Sequence, residues 1–117
     1  MKRRITQIQD SIARELARIF SREIEFPIGA FPNIVKVKVS EDLRHALVWI
    51  GVVPAGKRPE VLACLESNIY HIQSFLNKRL TMKFPPRLRF KVDSTSDKVQ
   101  RIEELVDQIH QENDSSK

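Results

Sequence analysis

A chain of 117 residues, with 41% hydrophobic and 30% charged side chains, has the size of one domain with a single modest core. No apolar run approaches the ~20 residues of a membrane span, and the opening MKRRITQIQDSIARELARIF has neither an apolar h-region nor a small-residue cleavage site, so neither a membrane anchor nor a secretory leader is expected. The net charge of +5 points to an acidic or phosphate-bearing partner.

In chain order, Ile5, Ile8, Ile12, Leu16, Ile19 and Phe20 recur at helical steps and predict an amphipathic helix. Arg4, Arg14, Arg18 and Arg22 occupy its other face. Phe26-Pro27-Ile28-Gly29-Ala30-Phe31-Pro32, with two prolines and a glycine, ends it in a loop. A strand is predicted over Ile34–Val39, with Val35, Val37 and Val39 inward and Lys36 and Lys38 in water. The short polar link Ser40–Arg44 makes the next strand, Ala46–Val53, its antiparallel partner. That segment, ALVWIGVV, is apolar on both faces and belongs mid-sheet, its outer face shielded by Lys and Arg stems. Trp49 reads there as core, with a stacking platform as the alternative. Pro54–Arg58 is a turn, and its Gly56-Lys57 lacks the glycine spacing and Ser/Thr of a phosphate loop.

Pro59–Leu80 organises the rest of the chain. Val61, Leu62 and Leu65, then Ile69, Ile72, Phe75, Leu76 and Leu80, keep helical spacing, and Pro59 suits a first helical position. Ser67, Asn68 and Ile69 break the run into helix–kink–helix, with the joint at Asn68–His71. A helix start at such a joint offers N–H groups to phosphate; an ordinary helical hairpin on a sheet would show the same pattern. Cys64, the one cysteine, cannot form an intramolecular disulfide and reads as a small core residue in a reducing, cytoplasmic setting. Met82–Pro86 is a second break. Arg87–Asp93 alternates again, with Leu88, Phe90 and Val92 inward and Arg87, Arg89 and Lys91 opposite. If that is also the face of Lys36 and Lys38, one side of the sheet exposes up to five cations. Ser94–Asp97 offer N-caps to a closing amphipathic helix of Val99, Ile102, Leu105, Val106 and Ile109, and 111–117 form a short disordered tail. The expected fold class is α+β: one domain over residues 1–110, a three-stranded mixed sheet with helices packed on one face, in the order α-β-β-α-kink-α-β-α.

Charge is unevenly spread. Lys78–Lys91 holds six Lys/Arg and no acid, whereas 93–117 holds seven acids against Lys98, Arg101 and Lys117. A basic body with an acidic end is the footprint of a nucleic-acid-facing domain. Lys78, Arg79, Lys83, Arg87 and Arg89 are the candidate contacts to a phosphate backbone, with salt-sensitive binding; Lys2, Arg3, Arg4 and Arg44 extend the set. Phe84 is placed to stack, and Phe90 reads as core. Asn68, His71 and Gln73 at the kink have donors and acceptors able to read unpaired bases or the 2′-OH. A merely solvated basic surface is the plain alternative. His45, His71 and His110 lie in different elements with no Cys or carboxylate at ligand spacing, so no metal is expected. No nucleophile elbow or paired carboxylates suggest catalysis, and no cofactor is expected. Asp42 and Asp93, at strand ends, fit turn-forming roles.

The order helix–strand–strand–helix–helix–strand is that of the type II KH fold. VKVSEDLRHALVWI, HIQSFLNKRLTMKFPPRLRFKVD and RIEELVDQI follow one another within it. The most specific pieces are Val39-Ser40-Glu41-Asp42-Leu43 with Ala46, and Phe84–Phe90 with Asp93. Over nearly its whole length the chain resembles the ribosome-binding factor A family of bacterial small-subunit assembly factors. Members of that family replace the KH GxxG loop by an Ala/Ser-x-Gly-like kink; Tyr70 stands here at the glycine position, either to stack or to pack, and Gln73 stands where an Arg is common. The resemblance implies a non-enzymatic factor for late maturation of the small (30S) subunit, including processing of its 16S rRNA, and for cold adaptation. Such a factor binds free 30S subunits through its basic surface, in the cytoplasm, without membrane or small-molecule substrate, and is expected to be a monomer. The alternatives are a stand-alone KH-like binder of single-stranded RNA and a module for an acidic protein partner.

Overall fold

The computed structural model describes residues 2–93; the predicted closing helix and the tail lie outside the described residues. The elements are helix α1 (Lys2–Glu23), strands β1 (Phe31–Val39) and β2 (His45–Val53), a 3-10 turn (Ala55–Lys57), helices α2 (Arg58–Ser67) and α3 (Ile69–Arg79), and strand β3 (Arg87–Asp93). The sheet order is β1-β2-β3. β1 pairs antiparallel with β2 across a short turn, while β3 pairs parallel with β2 because α2 and α3 carry the chain back before it re-enters. The apolar segment ALVWIGVV is therefore central, as its composition predicts.

One side of the sheet meets all three helices. Val37, Val39, Ala46, Val48, Ile50, Val52 and Leu88 are buried there against Ile12, Leu16, Ile19 and Phe20 of α1 and Val61, Leu65, Ile72 and Leu76 of α2 and α3. Each fully buried Ile or Leu contributes about 1.5–3 kcal/mol of transfer free energy. Phe20 joins the α1 layer to the loop and to β3 through Phe26, at 5.3 Å between ring centroids, and Phe90, at 6.0 Å. At the far end of β1, the Val39 N–H donates to Oε1 of Gln9 at 3.0 Å, so α1 supplies an acceptor where β1 ends.

Two sequence expectations change. β1 starts at Phe31 and carries a bulge: Ile34 pairs with Ile50, Lys36 pairs with Trp49, and Val35 falls between them. The extra residue flips the strand's parity, so Ile34 takes the inward place and Val35 is 40% exposed. Trp49 is not core. Its parity is opposite to that of Val48 and Ile50, which puts it on the open face of the sheet with the Lys36 ammonium 4.4 Å from its ring centroid. The apolar outer face of β2 is thus shielded by a cationic side chain.

Candidate nucleic-acid interface

Three segments distant in sequence meet where β2 and β3 begin: the first turn of α1, the β1–β2 turn and the α3–β3 connection. They enclose a cleft of about 910 Å³ lined by Arg4, Asp42, Leu43, Arg44, His45, Thr81, Met82, Lys83, Phe84, Pro85 and Arg87. Four predicted contacts, Arg4, Arg44, Lys83 and Arg87, are thereby brought onto one surface. A smaller recess shares Arg4, Thr81 and Met82 and reaches along α1 to Ser11.

The turn that presents Arg44 and His45 is held by its own side chains. The Ser40 hydroxyl donates to Oδ1 of Asp42 at 2.6 Å, the same oxygen accepts the Arg44 N–H at 3.1 Å, and the His45 N–H donates to Ser40 Oγ at 3.0 Å. Leu43 turns the chain with φ of 62°, a left-handed value rare outside glycine. The Ser40 hydroxyl first, then the Arg44 N–H, hold the Asp42 carboxyl below the usual carboxylate range. Asp42 therefore serves the turn, the role its position at a strand end predicts. The Arg87 N–H donates to the Arg44 carbonyl at 2.8 Å and ties the start of β3 to this turn. Phe84 is 77% exposed on the cleft wall, and Lys83 Nζ lies 5.7 Å from its ring centroid. An exposed ring among cations can take a stacked base.

β3 runs out of this cleft into a groove of about 420 Å³ between its edge and the helix joint, lined by Leu47, Glu66, Ile69, Leu88, Arg89, Phe90 and Lys91. The joint is as short as a joint can be, since Asn68 alone separates α2 from α3. Two of the residues proposed to read bases there are occupied by the fold. Asn68 donates its side-chain amide to the Cys64 carbonyl at 2.8 Å and its backbone N–H to the same oxygen at 3.1 Å, splicing the helices. Gln73 accepts the Leu88 N–H at 2.8 Å and donates to the Pro86 carbonyl at 3.0 Å and to Asn77 Oδ1 at 3.0 Å, fastening α3 to β3. His71 is exposed, and Tyr70, at 85% exposure, does not pack in the core. Cys64 is half-buried against the core, and burial pushes its thiol up.

The remaining candidates divide. Arg3 and Lys78 are exposed, and Lys2 is the first residue of α1. Arg79 is not a free contact: its Nη1 lies 3.7 Å from Oε1 of Glu15, a buried oxygen with no hydrogen-bond donor among the described residues. Strand register adds residues that lie outside the candidate set. Lys38, Leu47 and Arg89 form one cross-strand row, Lys36, Trp49 and Lys91 the next, and His45 pairs with Arg87. The five cations of β1 and β3 share the open face. The signal is the alternation in both strands, which names a face for each strand but not that the two coincide. Among the described residues there is no cluster of three or more His, Cys, Asp or Glu side chains suited to a metal ion, and no helix is long and apolar enough to cross a membrane.

The sequence model of ribosome-binding factor A matches residues 4–106. The chain belongs to the ribosome-binding factor A family. It is 35% identical to ribosome-binding factor A of Syntrophus aciditrophicus, over 97% of this chain and 95% of that protein. Against ribosome-binding factor A of Akkermansia muciniphila it is 31% identical, over 93% and 86% of the two chains. The crystal structure of ribosome-binding factor A from Thermus thermophilus superposes with a TM-score of 0.56 at 18% identity, covering 78% of this chain and 92% of that one. A homology model of the Thermus thermophilus factor, fitted into a cryo-EM map of its complex with the 30S subunit, gives a TM-score of 0.57 at 19% identity, with the same coverage. These neighbours share the KH-like fold of ribosome-binding factor A, in agreement with the expected α+β class.

Proposed function

We propose that this protein is a non-enzymatic assembly factor that binds the free small ribosomal subunit through the cationic cleft and contacts 16S rRNA there. The observation that carries the reading is the convergence of Arg4, Arg44, Lys83 and Arg87, from three separate segments, on one cleft beside the exposed ring of Phe84. A single helix face with the same charge would be an ordinary solvated surface. Cations gathered from three segments, at a turn held by Asp42, form a surface shaped for polyanion. The Thermus thermophilus factor has been fitted as a complex with the 30S subunit, which supports the same partner for this chain. The role extends to late maturation of the subunit, including 16S rRNA processing, and to growth in the cold, with the protein acting as a cytoplasmic monomer.

Co-sedimentation with purified small subunits, large subunits and intact ribosomes at two salt concentrations tests this. Selective, salt-sensitive binding to free small subunits is expected, and Arg44→Glu with Lys83→Glu is expected to abolish it while the circular dichroism spectrum stays that of the wild type. Equal binding to every RNA-containing particle would indicate a general RNA binder. Absence of binding at low salt would indicate an acidic protein partner instead.

A further inference from the structure

Among the described residues, the helices cover one side of the sheet and leave the other open. Cross-strand partners point to the same side, so the open face carries Lys36 and Lys38 from β1 and Arg87, Arg89 and Lys91 from β3, in three consecutive rows. No acidic residue occupies a position in those rows. Alternate residues along a strand stand ~6.6 Å apart and neighbouring strands ~4.8 Å apart, so the charges form two columns separated by β2, ~9.6 Å apart across the sheet and ~6.6 Å apart along each strand, the latter a step that compares with that between phosphates of an extended polynucleotide strand. Trp49 lies between the columns, half-buried, with the Lys36 ammonium over its ring at 4.4 Å. An ammonium on a flexible stem is a cover that a base can replace. The face also continues the cleft, because His45 and Arg87 form its first row and line the cleft as well.

We propose that the open face of the sheet is a second RNA-binding surface, taking a single-stranded segment whose phosphates lie along Lys38, Arg87 and Arg89 and whose base stacks on Trp49 in place of Lys36. Binding there is sequence-tolerant, since any base has a face to stack and the cations read only phosphate. The inference rests on the RNA-binding reading above, and it adds a surface centred on Trp49, of which Leu47, Arg89 and Lys91 also line the groove beside the helix joint.

Trp49 is the only tryptophan in the chain, so fluorescence excited selectively at tryptophan, leaving Tyr70 dark, reports on this face. The full chain is titrated with a uridine oligoribonucleotide of about a dozen nucleotides, long enough to span a site of this kind. Saturable, salt-sensitive quenching is expected, with affinity lowered at least about tenfold in Lys38→Glu/Arg89→Glu. Both side chains are exposed, so the variant is expected to fold; the milder Lys38→Gln/Arg89→Gln pair is expected to show a smaller loss. Absence of quenching while the wild-type chain still pellets with small subunits overturns this inference and leaves the main reading standing. Quenching that both variants leave unchanged also overturns it. So does quenching by a synthetic peptide of residues 94–117 but not by the oligonucleotide, which would make the face a seat for the chain's own acidic segment.

Discussion

The backbone N–H of Leu88 donates to Oε1 of Gln73 at 2.8 Å, and Nε2 of the same side chain donates to the Pro86 carbonyl at 3.0 Å. A helix side chain thus stands in for a fourth strand where β3 begins, satisfying backbone groups on an edge that no other described strand covers. Truncation would strand both groups at a partly buried site. Gln73→Ala is expected to lower stability by about 1–3 kcal/mol, read as a shift in the urea midpoint, while small-subunit binding by the folded fraction stays unchanged. Weakened binding with an unmoved midpoint would return Gln73 to the RNA-contacting set.

Arg79 and Lys78 are adjacent in sequence and different in role. Arg79 faces the carboxylate of Glu15 across the α1–α3 contact, whereas Lys78 is exposed and makes no ion pair among the described residues. Arg79→Glu sets two carboxylates against each other beside a buried oxygen, and a stability loss of about 1 kcal/mol is expected. Lys78→Glu is expected to stay within about 0.5 kcal/mol of the wild type. The exchange Glu15→Arg/Arg79→Glu should recover most of the loss in thermal unfolding; no recovery would show that the pair contributes nothing to the α1–α3 contact.

What the sequence reveals and what it hides divide along one line: local pattern against distant partner. The helix break at Asn68 is legible because the polar and β-branched residues Ser67, Asn68 and Ile69 interrupt a run that otherwise keeps helical spacing. β2 is legible as central because a nine-residue strand with so little charge has to be covered on both sides. The ordered motifs around Asp42 and Pro85-Pro86 carry the family. The bulge is not legible, since Ile34 and Val35 are both β-branched and either can face inward; only pairing with Ile50 and Trp49 decides. Trp49 is misassigned for the same reason. Asn68, Gln73 and Arg79 look like free polar groups in the sequence because their partners are a carbonyl within the kink, a strand edge 15 residues on, and a carboxylate on another helix. Arg4, Arg44, Lys83 and Arg87 are legible as cations, but the cleft that unites them depends on the topology.

Gly51 sits under the bulge. A Cβ at this position would lie 2.8 Å from Asn33 Oδ1 and 3.2 Å from Val35 Cγ2, both on the open face. Gly51→Ala is therefore expected to cost about 1–3 kcal/mol, as overpacking does, and to lower the midpoint of thermal unfolding. Because the nearest atom is the end of the Asn33 side chain, adding Asn33→Ala should restore part of the loss. If the double variant is no more stable than Gly51→Ala alone, Val35 rather than Asn33 is the obstacle.

Asp42 connects acidity to the cleft. Its folded carboxyl titrates below the usual range because Ser40 and the Arg44 N–H favour the charged form. A group whose pKa is depressed on folding stabilises the fold above its unfolded value, about 4, and that contribution is lost as pH falls through the folded value. The turn is thus expected to be intact at neutral pH and to loosen only on the acid side of about 4. Since its oxygen accepts the Arg44 N–H, the Arg44 amide resonance should move with that protonation. Asp42→Asn keeps an acceptor oxygen but removes the titration, so the acid shift of the Arg44 amide should vanish, and the variant should lack at neutral pH the stabilisation that the charged carboxyl gives. An Arg44 amide that still titrates in acid in the variant would assign the response to another carboxylate, and the turn that presents Arg44 to the cleft would then not depend on the charge of Asp42.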